Sequence, residues 1–218
     1  MNRKNLRSLA AGVALLLAVG ALAGCGGEKK ADDSKKMVTV GIAQLVEHGA
    51  LDAANKGFVA GMASKGFKEN ENVKYDRQNA QADQSNLQNI AQRFVSNKVD
   101  LICAIATPTA QTMANATKDI PIVATAVTDY EVAKLAASNN EPKGNVTGTS
   151  DMNPIDQQLE LLLKIAPQTK NIGTLYSSSE VNSQLQVDVL KKLAGDKGIN
   201  VIEATVSTVN DIQQAAHS

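Results

Sequence analysis

The sequence predicts an α/β protein in which parallel sheets are flanked by helices. Three observations carry that reading. Short runs rich in Val, Ile and Ala recur between stretches whose apolar residues lie three and four apart, so strands alternate with helices. Two of the runs, 100–106 (DLICAIA) and 121–127 (PIVATAV), are mostly apolar, as strands buried on both faces are. Polar turn residues collect after each run, where a parallel strand must turn into its crossover helix.

The elements follow in order. Residues 37–44 (MVTVGIAQ) form the first strand, rich in β-branched residues. A helix over about 50–66 carries Leu51, Ala54, Phe58 and Met62 on one face, and Gly66 ends it. The second strand covers 73–78. The helix over 84–97 presents Leu87, Ile90, Ala91, Phe94 and Val95, with Asp83 as its N-cap. After the strand at 100–106, Thr107-Pro108 opens a third helix, with Pro where its missing N–H costs nothing. The strand at 121–127 leads to a short helix expected over 130–138. The polar stretch 139–145 (NNEPKGN) is the expected lobe boundary.

Beyond it, 146–150 is extended, and Asn153-Pro154 starts a helix with Ile155, Leu159, Leu162, Leu163 and Ala166 inward. The strand 172–176, a helix over 181–195, the strand 199–206 and a last helix from near Asn210 complete the chain. That last helix has two turns and no capping Gly, which reads as a second lobe cut short.

The first residues belong to a different object. Arg3, Lys4 and Arg7 precede an uncharged apolar run from Leu9 to Leu22. That order is the order of a secretory signal, and the run is too short to span a bilayer. It ends in Leu22-Ala23-Gly24-Cys25, which resembles the bacterial lipobox, in which the Cys is lipidated. Residues 26–36 (GGEKKADDSKK) have no apolar periodicity and read as a tether. The expected organisation is a signal peptide over 1–24, a tether over 25–36, a first lobe over 37–145 and a partial second lobe over 146–218.

Composition narrows the chemistry. Lys+Arg and Asp+Glu are both 22, and cleavage before Cys25 leaves 19 against 22, a net −3. That balance argues against a phosphate-neutralising nucleic-acid binder. Aromatic residues make up 3%, so stacking platforms for single strands are scarce. His48 and His217 are the only histidines, Cys25 and Cys103 the only cysteines, and no HExxH or CxxC occurs, so neither a metal nor a cofactor is expected. No GxSxG elbow supports a hydrolase built from Ser177–Ser179, His48 and an Asp. Cys103 reads as an inert core thiol.

What remains is a binding cleft. Ligands of open α/β sheets bind beyond the carboxyl ends of the strands. Gln44 and His48 follow the first strand, and Thr107 and Thr109 the third. Thr128, Asp129 and Tyr130 follow the fourth, and Ser150 and Asp151 the fifth. Tyr176, Ser177, Ser179, Glu180 and Asn182 follow the next. Several of these loops open a helix, whose free N–H groups attract a carboxylate. Thr107 and Ser177–Ser179 are the expected polar anchors, Asp129, Asp151 or Glu180 the partner of an ammonium, and Tyr130 and Tyr176 the rings that pack on a side chain.

Several segments carry a family likeness. They include Ile42-Ala43-Gln44, Ala50-Leu51-Asp52-Ala53, Asn79-Ala80-Gln81, Ala104-Ile105-Ala106-Thr107-Pro108, Val127-Thr128-Asp129, Asn145-Val146-Thr147-Gly148 and Glu180-Val181-Asn182-Ser183. On these the chain resembles the ABC-transporter substrate-binding lipoproteins that take up tryptophan and other aromatic amino acids, over nearly all of 37–218. Gly49 and Tyr130 stand where that family usually has Pro. The resemblance implies a two-lobed type I periplasmic-binding fold with its second lobe truncated. It further implies a non-catalytic, lipid-anchored protein on the extracytoplasmic face of the membrane, which closes on a small amino acid and presents it to a membrane permease. A lipid-anchored sensor of the same fold, signalling rather than transporting, is the alternative.

Overall fold

The computed structural model describes residues 37–142 and 144–217. The signal, the lipobox Cys25 and the tether lie outside the described residues.

The first sheet is built from β1 (Val38–Gln44), β2 (Val73–Asn79), β3 (Leu101–Ile105), β4 (Ile122–Val127) and β5 (Val146–Ser150). All pairings are parallel, and the order is β2-β1-β3-β4-β5. The helices α1 (Gly49–Ser64), α2 (Gln84–Ser96) and α3 (Thr107–Ala116) cover it. α1 lies on one face, against Val40, Ile42, Tyr75, Cys103 and Ile105. α2 and α3 lie on the other, where Leu87, Ile90, Phe94, Ala110 and Met113 form the larger core. The order reverses between β1 and β3, because the chain winds one way through α1 and the other way through α2 and α3. Phe94 sets the local geometry of β1. A Cβ on Gly41 would come within 2.7 Å of its ring, so the strand approaches α2 only as glycine. Asp83 caps α2 as expected, accepting the Asn86 N–H at 2.7 Å.

The second sheet holds β6 (Asn171–Ser177) and β7 (Asn200–Val206), parallel in register. α4 (Ile155–Ile165) and α5 (Val181–Gly195) pack on one face through Leu159, Ile172, Ala194 and Ile199. A 3-10 turn (Val209–Asp211) and the short α6 (Ile212–Ala215) end the described chain.

Two expectations need correction. β5 was expected to open the second lobe, but it pairs with β4 as the edge of the first sheet. Val146 is buried there, and Asn145 ties the strand entry down by donating to Thr117 O and Ile120 O at 3.0 and 2.8 Å. The polar stretch 139–145 is therefore a loop within the first lobe, and the crossing to the second runs over 151–154, not at 145. The helix expected over 130–138 is a chain of turns instead. Leu135 and Ala136 both donate to Tyr130 O, and Lys134 has a positive φ of 59° that a helix does not accept.

Candidate ligand-binding site

The switch point between β1 and β3 directs attention to the loops beyond these strands. β3 ends at Ala106, whose φ is 88°. That conformation is unusual for a residue with a Cβ, and such strain clusters at functional sites. Ala106 is also the N-cap of α3, and it has no side chain to cap with. Thr107 is 2% exposed and Thr109 is fully buried, yet neither hydroxyl has a hydrogen-bond partner among the described residues. The first turn of α3 thus joins uncapped N–H groups to unused hydroxyl groups. A buried polar group without a partner carries a desolvation cost of about 1–3 kcal/mol that a ligand oxygen would relieve.

β4 ends in a similar way. Ala126 has a φ of 55°, and the register with β5 shifts between Ala124 and Val127. β4 has one more residue than β5 there, which makes a β-bulge. Ala106 N–H reaches Thr125 O at 3.0 Å, so the two strained strand ends are neighbours.

The expected site residues divide by what their side chains already do. Gln44 is 4% exposed and fully engaged: it donates to Val46 O and Asp52 Oδ1 and accepts from Asn55 Nδ2. It shapes the loop after β1 and has no polar atom to spare. His48 is exposed, and its Nδ1 caps α1 by accepting Ala50 N–H. Thr128 is 6% exposed, and its carbonyl accepts from Ser150 Oγ at 2.7 Å. Asp129 is spent on the turn that follows it, accepting from Val132 N–H and Asn139 Nδ2, both at 2.8 Å.

Asp151 differs. It is exposed, its backbone N–H donates to Val127 O at 3.1 Å, and no described residue donates to its carboxylate. Of the three acids expected to meet an ammonium, Asp151 is the one left open. Glu180 accepts weakly from Asn182 Nδ2 and Ser183 Oγ, both at 3.4 Å. Asn182 Oδ1 is buried without a partner, and Ser177 and Ser179 bond each other at 3.0 Å.

The two tyrosines differ in what they leave open. Tyr130 is 6% exposed within the core, and its hydroxyl lies 2.9 Å from Ala124 O and 3.2 Å from Thr149 O. Burial and the nearby Asp151 push its hydroxyl pKa up to about 12, so it stays a neutral donor. Tyr176 is half-buried, and its hydroxyl lies within reach of Glu203 Oε2 and Gln184 Oε1. Burial in the core leaves Tyr130 little ring surface for a ligand, whereas the bonds of Tyr176 engage its hydroxyl and not its ring. Thr109 gains weight, since its buried unpartnered hydroxyl is a signal that spacing alone does not carry. Burial also pushes the Cys103 thiol up to about 12, consistent with an inert core residue. Among the described residues no His, Cys, Asp and Glu cluster forms a metal site.

Open parallel sheets joined by a crossover, with an uncapped helix N-terminus and an open carboxylate at the carboxyl ends of one of them, define the class of two-lobed α/β binding proteins. The family model for ABC transporter substrate binding proteins matches residues 39–218, and the chain belongs to that family. It is 48% identical over 225 residues to a tyrosine-binding protein of Clostridioides difficile, covering 100% of this chain and 64% of that one. It is 42% identical, with a TM-score of 0.80, to an ABC domain from Streptococcus pneumonia solved in complex with L-Trp. It is 49% identical, with a TM-score of 0.63, to a ligand-free, open substrate binding protein with adhesive properties from Clostridium difficile. Both structures cover 83% of this chain, which spans 61% of theirs. The fold is the type I periplasmic-binding fold. No described helix is long and apolar enough to cross a membrane.

Proposed function

We propose that this chain is the binding component of an ABC importer and that its ligand is an aromatic α-amino acid. The observation that carries the reading is the start of α3, where uncapped N–H groups stand with the unpartnered hydroxyls of Thr107 and Thr109. A carboxylate meets both needs, through charge-assisted hydrogen bonds and the positive end of the helix dipole. The open carboxylate of Asp151 takes the ammonium. Val132 and Met152, each 40% exposed, lie in the loops after β4 and β5 and offer apolar surface for a ring. The aromatic preference is supported by the tyrosine-binding relative and by the L-Trp complex.

The lipid anchor at Cys25, the extracytoplasmic location and the membrane permease as partner belong to the same proposal. Calorimetric titration of the whole protein against the twenty amino acids tests the ligand. L-tyrosine or L-tryptophan is expected to bind, and its carboxamide to bind at least tenfold more weakly. Absence of binding by every amino acid sinks the reading. Cys25→Ala is expected to release the protein from membranes, and continued retention removes the anchor.

A further inference from the structure

Tyr130 occupies an unusual place in the seam between β4 and β5. The regular pairing runs Ile122 with Val146, Val123 with Thr147 and Ala124 with Gly148, and resumes at Val127 with Ser150. The Tyr130 hydroxyl enters where the pairing breaks, at 2.9 Å from Ala124 O on β4 and 3.2 Å from Thr149 O on β5. It carries one proton, so the two carbonyls share a single donor. The seam is shaped for it. A Cβ on Gly148 would lie 1.9 Å from Ala124 O and 2.2 Å from the Tyr130 hydroxyl, so only glycine admits this approach.

The residue is fixed at its backbone as well. Tyr130 N–H donates to Asn139 Oδ1 at 2.7 Å, and Asn139 Nδ2 donates to Asp129. Three successive residues of the strand leaving the sheet are then held by the segment from Val127 to Tyr130. Thr149 O meets the Tyr130 hydroxyl, Ser150 Oγ donates to Thr128 O, and Asp151 N–H donates to Val127 O. Asp151 is the last of the three, and the chain then crosses towards α4.

We propose that Tyr130 is a positioning residue of the ligand site, whose hydroxyl bridges the β4–β5 bulge and fixes the exit of the strand that carries Asp151. It does not touch the ligand. It acts by holding the Asp151 carboxylate where the ligand's ammonium arrives. The inference rests on the reading of Asp151 given above.

A double-mutant cycle in the whole protein tests it. L-tyrosine and L-tryptophan are titrated calorimetrically into the parent, Tyr130→Phe, Asp151→Asn and the double variant. Tyr130→Phe keeps the ring and removes only the shared donor. It is expected to weaken binding about tenfold in the parent and less than about twofold in the Asp151→Asn background. An equal loss in both backgrounds, or no loss in either, overturns the proposal. A parent protein that binds no amino acid instead overturns the site reading, so the two failures are distinct. Amide exchange at Asp151 without ligand gives a measurement independent of affinity. Tyr130→Phe is expected to speed it at least tenfold, and an unchanged rate counts against the proposal. Replacing Tyr130 with 4-aminophenylalanine restores a donor at the same place, so it serves even if the Phe variant does not fold. Binding is expected to stay within about threefold of the parent, and a tenfold loss contradicts the role.

Discussion

The two sheets of this chain are built on the same parallel rule and reach different degrees of closure. β1, β3 and β4 sit between α1 on one face and α2 with α3 on the other. Ile102, Cys103, Ala104 and Ile105 are successive residues and all are fully buried, as a doubly covered parallel strand requires. β6 and β7 are covered by α4 and α5 on one face, while Leu175 and Ile202 remain 41% and 56% exposed. Ile165 on α4 is 76% exposed. The first sheet is a finished core that can store strain at Ala106 and Ala126, because its surroundings hold them in place. The second has apolar surface in excess of what its described neighbours cover. The strained Ala106 and Ala126 and the unpartnered hydroxyls of Thr107 and Thr109 lie on the better supported sheet, while beside the second sheet Asn182 Oδ1 is the buried site atom without a partner among the described residues.

The comparison is broken most directly by removing core volume. Phe94→Ala empties a fully buried ring position against Gly41, and a loss of about 4 kcal/mol is expected in denaturant unfolding. A loss below about 1 kcal/mol contradicts the account of the first core. Next comes Gly148→Ala. Its new Cβ meets a backbone oxygen rather than a flexible side-chain end, so about 2–3 kcal/mol is expected, with a visible fall in Tm. An unchanged melting curve shows that the β4–β5 seam yields more easily than described.

A smaller effect concerns alkaline pH. Burial and the nearby Asp151 push the Tyr130 hydroxyl up to about 12 in the folded chain, against about 10 for a free phenol, so folding favours its neutral form. Its contribution is complete below about pH 10 and is lost as pH rises towards 12. Unfolding followed from pH 9 to 12 is expected to show stability falling in that window, with a shallower fall in Tyr130→Phe. Equal slopes in the two proteins remove the assignment. The smallest effect is expected on the open face of β7. Ile202→Thr keeps a β-branched side chain at a 56% exposed position, and its unfolding free energy is expected to change by less than about 0.5 kcal/mol. A loss above 2 kcal/mol shows that something covers this face in solution.

Much of the fold was legible in the sequence because it depends on local pattern. The all-apolar run around Cys103 predicts a doubly buried strand, and the spacing of Leu87, Ile90, Ala91 and Phe94 predicts the buried face of α2, as found. The lobe boundary was not legible. The polar composition of 139–145 marks a loop, but whether the next strand joins the sheet behind it or ahead of it depends on pairing with β4, which is distant in sequence. The turns over 130–136 escaped for a related reason, since the tertiary bonds of Asp129, Tyr130 and Asn139 outweigh local helix preference there.

For the site, the sequence by itself determined which loops meet at the carboxyl ends of the strands, because parallel connectivity allows little else. It also supplied the residue types suited to a zwitterion. Only the tertiary structure decided which of those polar groups are free. The side chains of Gln44, His48, Asp129, Tyr130 and Tyr176 already hydrogen-bond within the protein, whereas the Thr107 hydroxyl and the Asp151 carboxylate accept no bond among the described residues. The physical reason is that a side chain's chemistry follows from its identity, while its availability follows from every neighbour that packing brings within hydrogen-bond reach.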